Sequence, residues 1–202
     1  MSIKKISTQQ PQTFEFSKEN FFHAEKEIKK YPKNKKSSAI LALLYLVQKQ
    51  NNNWIPLAAI KYVAKFLETS YMQVYEVATF YSMFNLKPVG KYFVQVCTTT
   101  PCMLRGAYKL VDVCKKRISK NESIVTKDGK FSWMEVECLG ACVNAPIIQI
   151  NDDYFEDLDN EKLEKIIDQI NNDQKPIPGS YRGRLNSEPE NIRKTLLDNK
   201  NA

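Results

Sequence analysis

One histidine and six glycines are unusually little for a chain of 202 residues, and each shortage removes a class of chemistry. His23 falls in a polar, lysine-rich segment with no catalytic partner in view, so it reads as a solvated or capping side chain. The glycines, at 90, 106, 129, 140, 179 and 183, form neither G-x-G-x-x-G nor a phosphate loop, which excludes a written nucleotide site. No C-x-x-C occurs, so dithiol exchange at such a motif is excluded as well. The longest apolar run, Ala39–Val47, is far short of the ~20 residues that span a bilayer. MSIKKISTQQPQTFEF at the start has no apolar stretch for a signal peptide and is too weakly basic for a transit peptide. The expectation is a soluble protein that stays in the compartment where it is made. Arginine is scarce too. Only five of the 30 basic residues are Arg, although the formal net charge is +7. Phosphate and base recognition favour Arg forks, so this excess is a weak nucleic-acid signal. With 16 Asn it fits a coding bias equally well.

What is present is ordinary globular material: 43% hydrophobic and 26% charged residues, enough for one domain or two small ones. Residues 1–16 are unpatterned and read as a flexible arm. Residues 17–87 read as a bundle of four helices. The first runs from Ser17 to Lys30 and directs Phe21, Ala24 and Ile28 inward. The second, from Ser37 or Ser38 to Gln50, is apolar nearly all round, which predicts burial among other helices. A third starts at Pro56. A fourth opens on a Ser70/Gln73 capping box and continues to about Met83. After Pro88-Val89-Gly90 the period changes to two. A strand Tyr92–Cys97, a helix Leu104–Ile118, strands Phe131–Val136, Pro146–Ile150 and Tyr154–Glu156, and a helix from Asn160 capped by Asp159 follow. Residues 88–172 therefore form an α+β unit of thioredoxin-like type. Residues 173–202, with the Pro/Gly-bearing stretch Pro176–Gly183, read as an extended partner-binding tail ordered only against another surface. The acidic run Asp152, Asp153, Glu156, Asp157 and Asp159 reads as a solvated turn rather than a metal site.

The cysteines carry the chemistry. Cys97 and Cys102 are separated by TTTP, Cys138 and Cys142 by LGA, and each pair begins where a predicted strand ends. Two loops at one end of a sheet can converge four thiolates on zinc or on an iron–sulfur cluster. Neither pair has the two-residue spacing usual in structural zinc knuckles. A 2Fe–2S rhomb is wider and takes two thiolates per iron, so the spacing favours it over zinc, with disulfides or unrelated core cysteines as the remaining alternative. Thr98, Thr99 and Thr100 offer donors near bridging sulfides, and Gly140 and Ala141 allow close backbone approach. Cys114, mid-helix and unpaired, reads as a buried structural residue. No side chain is needed as a catalytic acid, base or nucleophile.

YEVATFYSMFNLKPVGKYFVQVCTTTPCMLRG (Tyr75–Gly106) and EVECLGACVNAPIIQINDDYFEDL (Glu135–Leu158) closely resemble the peripheral thioredoxin-like 2Fe–2S subunit of respiratory complex I, the NADH–quinone oxidoreductase. The resemblance extends from about residue 18 to the tail. Asn52-Asn53 departs from glycines frequent in that family and touches no cysteine. It implies an N-terminal helical bundle followed by a thioredoxin-like ferredoxin domain, with Cys97, Cys102, Cys138 and Cys142 as ligands of one 2Fe–2S cluster. It also implies a hetero-oligomer in the respiratory chain. The partners would be the NADH-oxidising subunit, which holds FMN and NADH, and an adjacent iron–sulfur subunit. The implied place is peripheral, without membrane insertion, on the cytoplasmic side of a bacterial inner membrane or the matrix side in a mitochondrion. The equivalent subunit of an NAD-linked hydrogenase or formate dehydrogenase is the alternative within this class. A zinc-bound nucleic-acid module is the alternative outside it, opposed by lysines scattered over every segment.

Overall fold

Apolar side chains spaced for helices in the first half and for strands in the second give each half its own core. The computed structural model describes residues 6–184, and the chain divides into two units, Met1–Lys91 and Tyr92–Ala202. The division falls at the first residue of a strand rather than at the Pro88-Val89-Gly90 break.

In the first unit, α1 (Lys18–Ile28) is capped by Ser17, whose hydroxyl accepts the Asn20 N–H at 3.2 Å. A run of 3-10 turns, Lys33–Ala39, then delays α2, which spans Ile40–Gln50 and so begins later than its apolar pattern suggests. α3 (Leu57–Phe66) follows Pro56, and α4 (Tyr71–Phe80) is capped by Ser70 and stops at Tyr81, whose backbone turns extended. Ala24, Leu43, Leu44, Val47, Ile60, Val63, Val74 and Ala78 fill the core. α2 departs from the expected all-round burial. Tyr45 is 46% exposed, and Leu41, Ala42, Leu46 and Met83 line an open groove beside it. Phe21, expected to face inward, is 42% exposed, with its ring edge-on to Phe66 at 5.4 Å.

The reading of residues 1–16 as a flexible arm is corrected for its described part. Phe16 is buried, with its ring edge-on to Tyr62 at 5.3 Å and to Phe66 at 5.9 Å. Ile6 and Phe14 pack on the same core. Ser7 N–H donates to the Leu86 carbonyl at 3.0 Å, and the Gln10 side chain accepts the Leu57 N–H at 2.8 Å, a donor that the start of α3 leaves free. Three apolar residues spread over eleven show no period, which is why the pattern missed a segment held by aromatic contact.

The second unit is a five-stranded sheet in the order β2-β1-β3-β4-β5. β1 is Tyr92–Cys97, β2 Phe131–Val136, β3 Ile148–Ile150, β4 Asp153–Glu156 and β5 Gly179–Ser180. β1 runs parallel to β2 and antiparallel to β3, β3 is antiparallel to β4, and β4 is parallel to β5. Between β1 and β2 the single expected helix is two: α5 (Thr100–Leu104), with Pro101 in its first turn, and α6 (Ala107–Arg117). Gly106 separates them in the left-handed region at φ 96°, a conformation that costs a side chain but not glycine. α7 (Asn160–Asn171) is capped by Asp159 as expected. Val94 and Val96 of β1, Trp133 of β2, Leu110 and Cys114 of α6, and Leu163 and Ile166 of α7 share one core.

The stretch expected to need a partner surface finds one in its own chain up to Arg184. Pro176 is buried, β5 extends the sheet beside β4, and the Tyr181 N–H donates to the Glu156 carbonyl at 3.0 Å. β4 left an open edge, and edges attract pairing. The remainder of the expected tail lies outside the described residues.

Two measurements check this architecture. Phe16→Ala should lower unfolding free energy by about 3 kcal/mol in urea titration, whereas a loose arm would leave it within about 0.5 kcal/mol. Burial pushes the Asp159 carboxyl up, but hydrogen bonds from the Lys162 N–H and ammonium outweigh this and hold its pKa below the usual carboxylate value. A depressed pKa stabilises above the unfolded value of about 3.9 and loses that contribution as pH falls through the folded value. Asp159→Ala should therefore cost about 1 kcal/mol at neutral pH, in a gap from wild type that narrows below about pH 4.

Candidate iron–sulfur site

β1 and β2 pair in register from Tyr92↔Phe131 to Cys97↔Val136, so both strands end level. The loops that leave them carry the two cysteine pairs. Cys97 is the last residue of β1, its N–H donating to the Ile147 carbonyl at 3.3 Å, and the next N–H, of Thr98, donates to Val136 at 3.3 Å. The chain then turns into α5, which carries Cys102 in a helical turn where the Met103 N–H donates to the Thr99 carbonyl at 2.9 Å. Both cysteines are fully buried, against Ala107, Ala145 and Ile147. Beyond β2, Cys138 is exposed and Cys142 half-buried, their sulfurs 3.5 Å apart. The Gly140 N–H donates to the Cys138 sulfur at 3.4 Å. Gly140 sits at φ 85° with open space where a Cβ would be, so its backbone freedom rather than its small size is what the loop uses.

Burial, and then a hydrogen bond with Cys97, push the Cys102 thiol up to about 12. The Cys142 thiol is raised by its hydrogen bond with Cys138 and by desolvation. A charge on Cys142 would raise the Cys102 thiol further, and a charge on Cys97 the Cys142 thiol, so each pair lies within electrostatic reach of the other. These shifts oppose thiolate formation at Cys102 and Cys142, and a multiply charged metal centre bound there would offset that cost. Among the described residues no three or more His, Cys, Asp and Glu side chains surround a point where one ion would sit. Two pairs of sulfur donors, Cys97 with Cys102 and Cys138 with Cys142, are a set that would suit a two-iron cluster. Cys114 lies apart in the core of α6, and burial pushes its thiol up to about 12. His23 lies exposed, 3.9 Å from Glu19.

Several residues that support the second loop carry no signal in the sequence pattern. The Tyr154 hydroxyl donates to the Leu139 carbonyl at 2.8 Å. Asn144 is fully buried and donates its amide to Glu156 at 2.6 Å, while its Oδ1 has no partner among the described residues. Glu156 and Asp157 are buried, which corrects the reading of the acidic run as a solvated turn. Burial raises the Asp157 carboxyl, but hydrogen bonds from Arg184 and Ser180 prevail and leave its pKa lowered. The Asp157–Arg184 pairing follows no period, so no local pattern could have announced it.

Residues 24–171, which include all four cysteines, match the profile of the family described as "Thioredoxin-like [2Fe-2S] ferredoxin". The chain belongs to this family. Within it, a subunit of the NADH-quinone oxidoreductase of Rickettsia bellii (strain RML369-C) is 61% identical over 160 residues, which are 79% of this chain and 96% of that one. Its counterpart in the NADH-quinone oxidoreductase of Rhizobium meliloti (strain 1021) is 48% identical over 194 residues, 94% of this chain and 70% of that one. Among solved structures, an air-oxidised NAD+-reducing [NiFe]-hydrogenase chain superposes with a TM-score of 0.57 at 19% identity. That match covers 67% of this chain and 23% of the hydrogenase chain, and it speaks for the fold alone. No helix among the described residues is long and apolar enough to cross a membrane.

Proposed function

We propose that this chain is the one-electron carrier subunit of an NADH–quinone oxidoreductase, with Cys97, Cys102, Cys138 and Cys142 as the ligands of a single 2Fe–2S cluster. The reading is supported by two cysteine pairs that each follow from the level end of a parallel strand pair, inside the family match. High identity to proteins named as subunits of NADH-quinone oxidoreductase supports the assignment to that complex. When bound, the cluster supplies a one-electron couple that needs no proton from a side chain.

The chain's own residues do the rest. Cys97 and Cys102 bind from the buried side, where Ala107, Ala145 and Ile147 exclude water and lower the local dielectric. Cys138 and Cys142 bind from the exposed side, and the Gly140 N–H directs a dipole at the Cys138 sulfur, which favours the thiolate and the more reduced state. The partners in this reading are the flavin- and NADH-binding subunit and the neighbouring iron–sulfur subunit. In this reading the chain is a peripheral subunit on the cytoplasmic face of a bacterial inner membrane.

Anaerobic purification followed by metal, sulfide and visible-spectrum analysis tests the assignment. Two irons and two acid-labile sulfides per chain, with a colour bleached by dithionite, are expected. One zinc without sulfide would overturn it. Cys138→Ser should lose the cluster and Cys114→Ser keep it, and equal loss in both would refute the ligand set.

A further inference from the structure

The two halves of the cysteine site are supported very differently. Cys97 and Cys102 sit on a strand end and a helical turn, both fully buried. Cys138 and Cys142 sit on a loop of irregular backbone and one 3-10 turn, Cys142–Asn144, at the surface. Something outside that loop has to hold it if two sulfurs are to keep a fixed separation and direction.

Besides Tyr154 and Glu156, a residue from the far end of the described chain reaches it. Arg184 Nη2 donates to the carbonyl of Val143, the residue after Cys142, at 3.1 Å. The same guanidinium donates through Nε to Asp157 Oδ2 at 3.1 Å and through Nη2 to Asp157 Oδ1. The Asp157 side chain has no exposed surface, and its backbone N–H donates to the Asn144 carbonyl at 2.8 Å. Asp157 thus touches the loop at one residue and, through Arg184, at the residue before it. Ser180 sets the strap's path: its hydroxyl donates to Asp157 Oδ2 at 2.6 Å while its oxygen accepts the N–H groups of Arg182 and Arg184 at 3.1 and 3.2 Å. β5 beside β4 fixes Ser180 in turn.

Three acceptors, two on one carboxylate and one on a carbonyl, need a planar cation with several N–H groups. A lysine ammonium on a flexible stem neutralises the carboxylate but cannot span to the carbonyl with the same rigidity. A buried carboxylate left without its cation is strongly unfavourable, so the strap stays closed once formed.

We propose that Arg184 is a positioning residue for the exposed half of the cluster site, tying the Val143 carbonyl to the buried Asp157 carboxylate and so fixing the direction of the Cys142 sulfur. This rests on the four-cysteine reading above. The test uses the full-length, cluster-loaded chain, with Arg184→Gln and Arg184→Lys beside wild type. Iron release to a chelator, the electron paramagnetic resonance of the dithionite-reduced cluster, and the thermal melt are read for each. Arg184→Gln should release iron about 10-fold faster, as outer partners of metal ligands commonly affect retention, with altered resonance positions. Arg184→Lys should recover the melting temperature and still release iron faster than wild type. Should Arg184→Gln fail to fold, Arg184→Lys decides: faster release with a shifted resonance supports the strap, and wild-type values overturn it. Wild-type release and resonance in Arg184→Gln, or a lowered melt with an unchanged resonance, would also overturn it. A wild-type chain lacking two irons and two sulfides would instead overturn the functional reading itself.

Discussion

The level ending of β1 and β2 is the constraint on which the site depends. Parallel pairing from Tyr92↔Phe131 to Cys97↔Val136 sends both following loops out of the same end of the sheet. An antiparallel pair would have put the two exits at opposite ends, and no loop of three or four residues could have brought the cysteines back. Parallel strands require a long crossover, and α5 with α6 supplies it. The crossover is also productive, since its first turn carries Cys102. The cysteine spacing and the strand topology are therefore one feature seen at two scales.

The two pairs differ in environment as well as position. Cys97 and Cys102 are buried among alanines and an isoleucine, while Cys138 faces solvent. A cluster held by both pairs would therefore meet unequal solvation on its two sides. The buried half resists added negative charge, and the exposed half, with the Gly140 N–H aimed at its sulfur, accommodates it. A cluster held by these residues would have Cys97 and Cys102 on its water-excluded side and Cys138 and Cys142 on its exposed side.

Much of this was legible in the sequence because it is periodic or punctuated. The alternation of Val94 and Val96, the Ser70 and Asp159 caps and the cysteine spacing all state a local geometry. What was missed has no local signal. Phe16 packs on Tyr62 and Phe66 from 46 residues away or more, and Arg184 reaches Val143 across 41 residues. Gly106 lies at the break between α5 and α6 and Pro101 in the first turn of α5, local signals that the single helix Leu104–Ile118 did not take up. The all-round apolar α2 misled in the opposite sense. Apolarity states that a face can be buried, not that this chain buries it, and Tyr45 remains largely exposed.

The acidic run after β3 shows how far burial changes what a charge means. By composition, Asp152 to Asp159 resembles a solvated turn, and Asp152 is exposed as such a residue should be. Two residues, Glu156 and Asp157, turn inward instead, and each is met by a donor that arrives from elsewhere: the Asn144 amide and the Arg184 guanidinium. Both donors belong to, or touch, the loop that follows Cys142. A buried carboxylate is costly unless it is paired, so folding of this unit favours arrangements in which that loop and the C-terminal strap are both in place. The electrostatic cost of two acids is in this way converted into the geometry of two thiols, and that coupling makes the far end of the described chain part of the site at its centre.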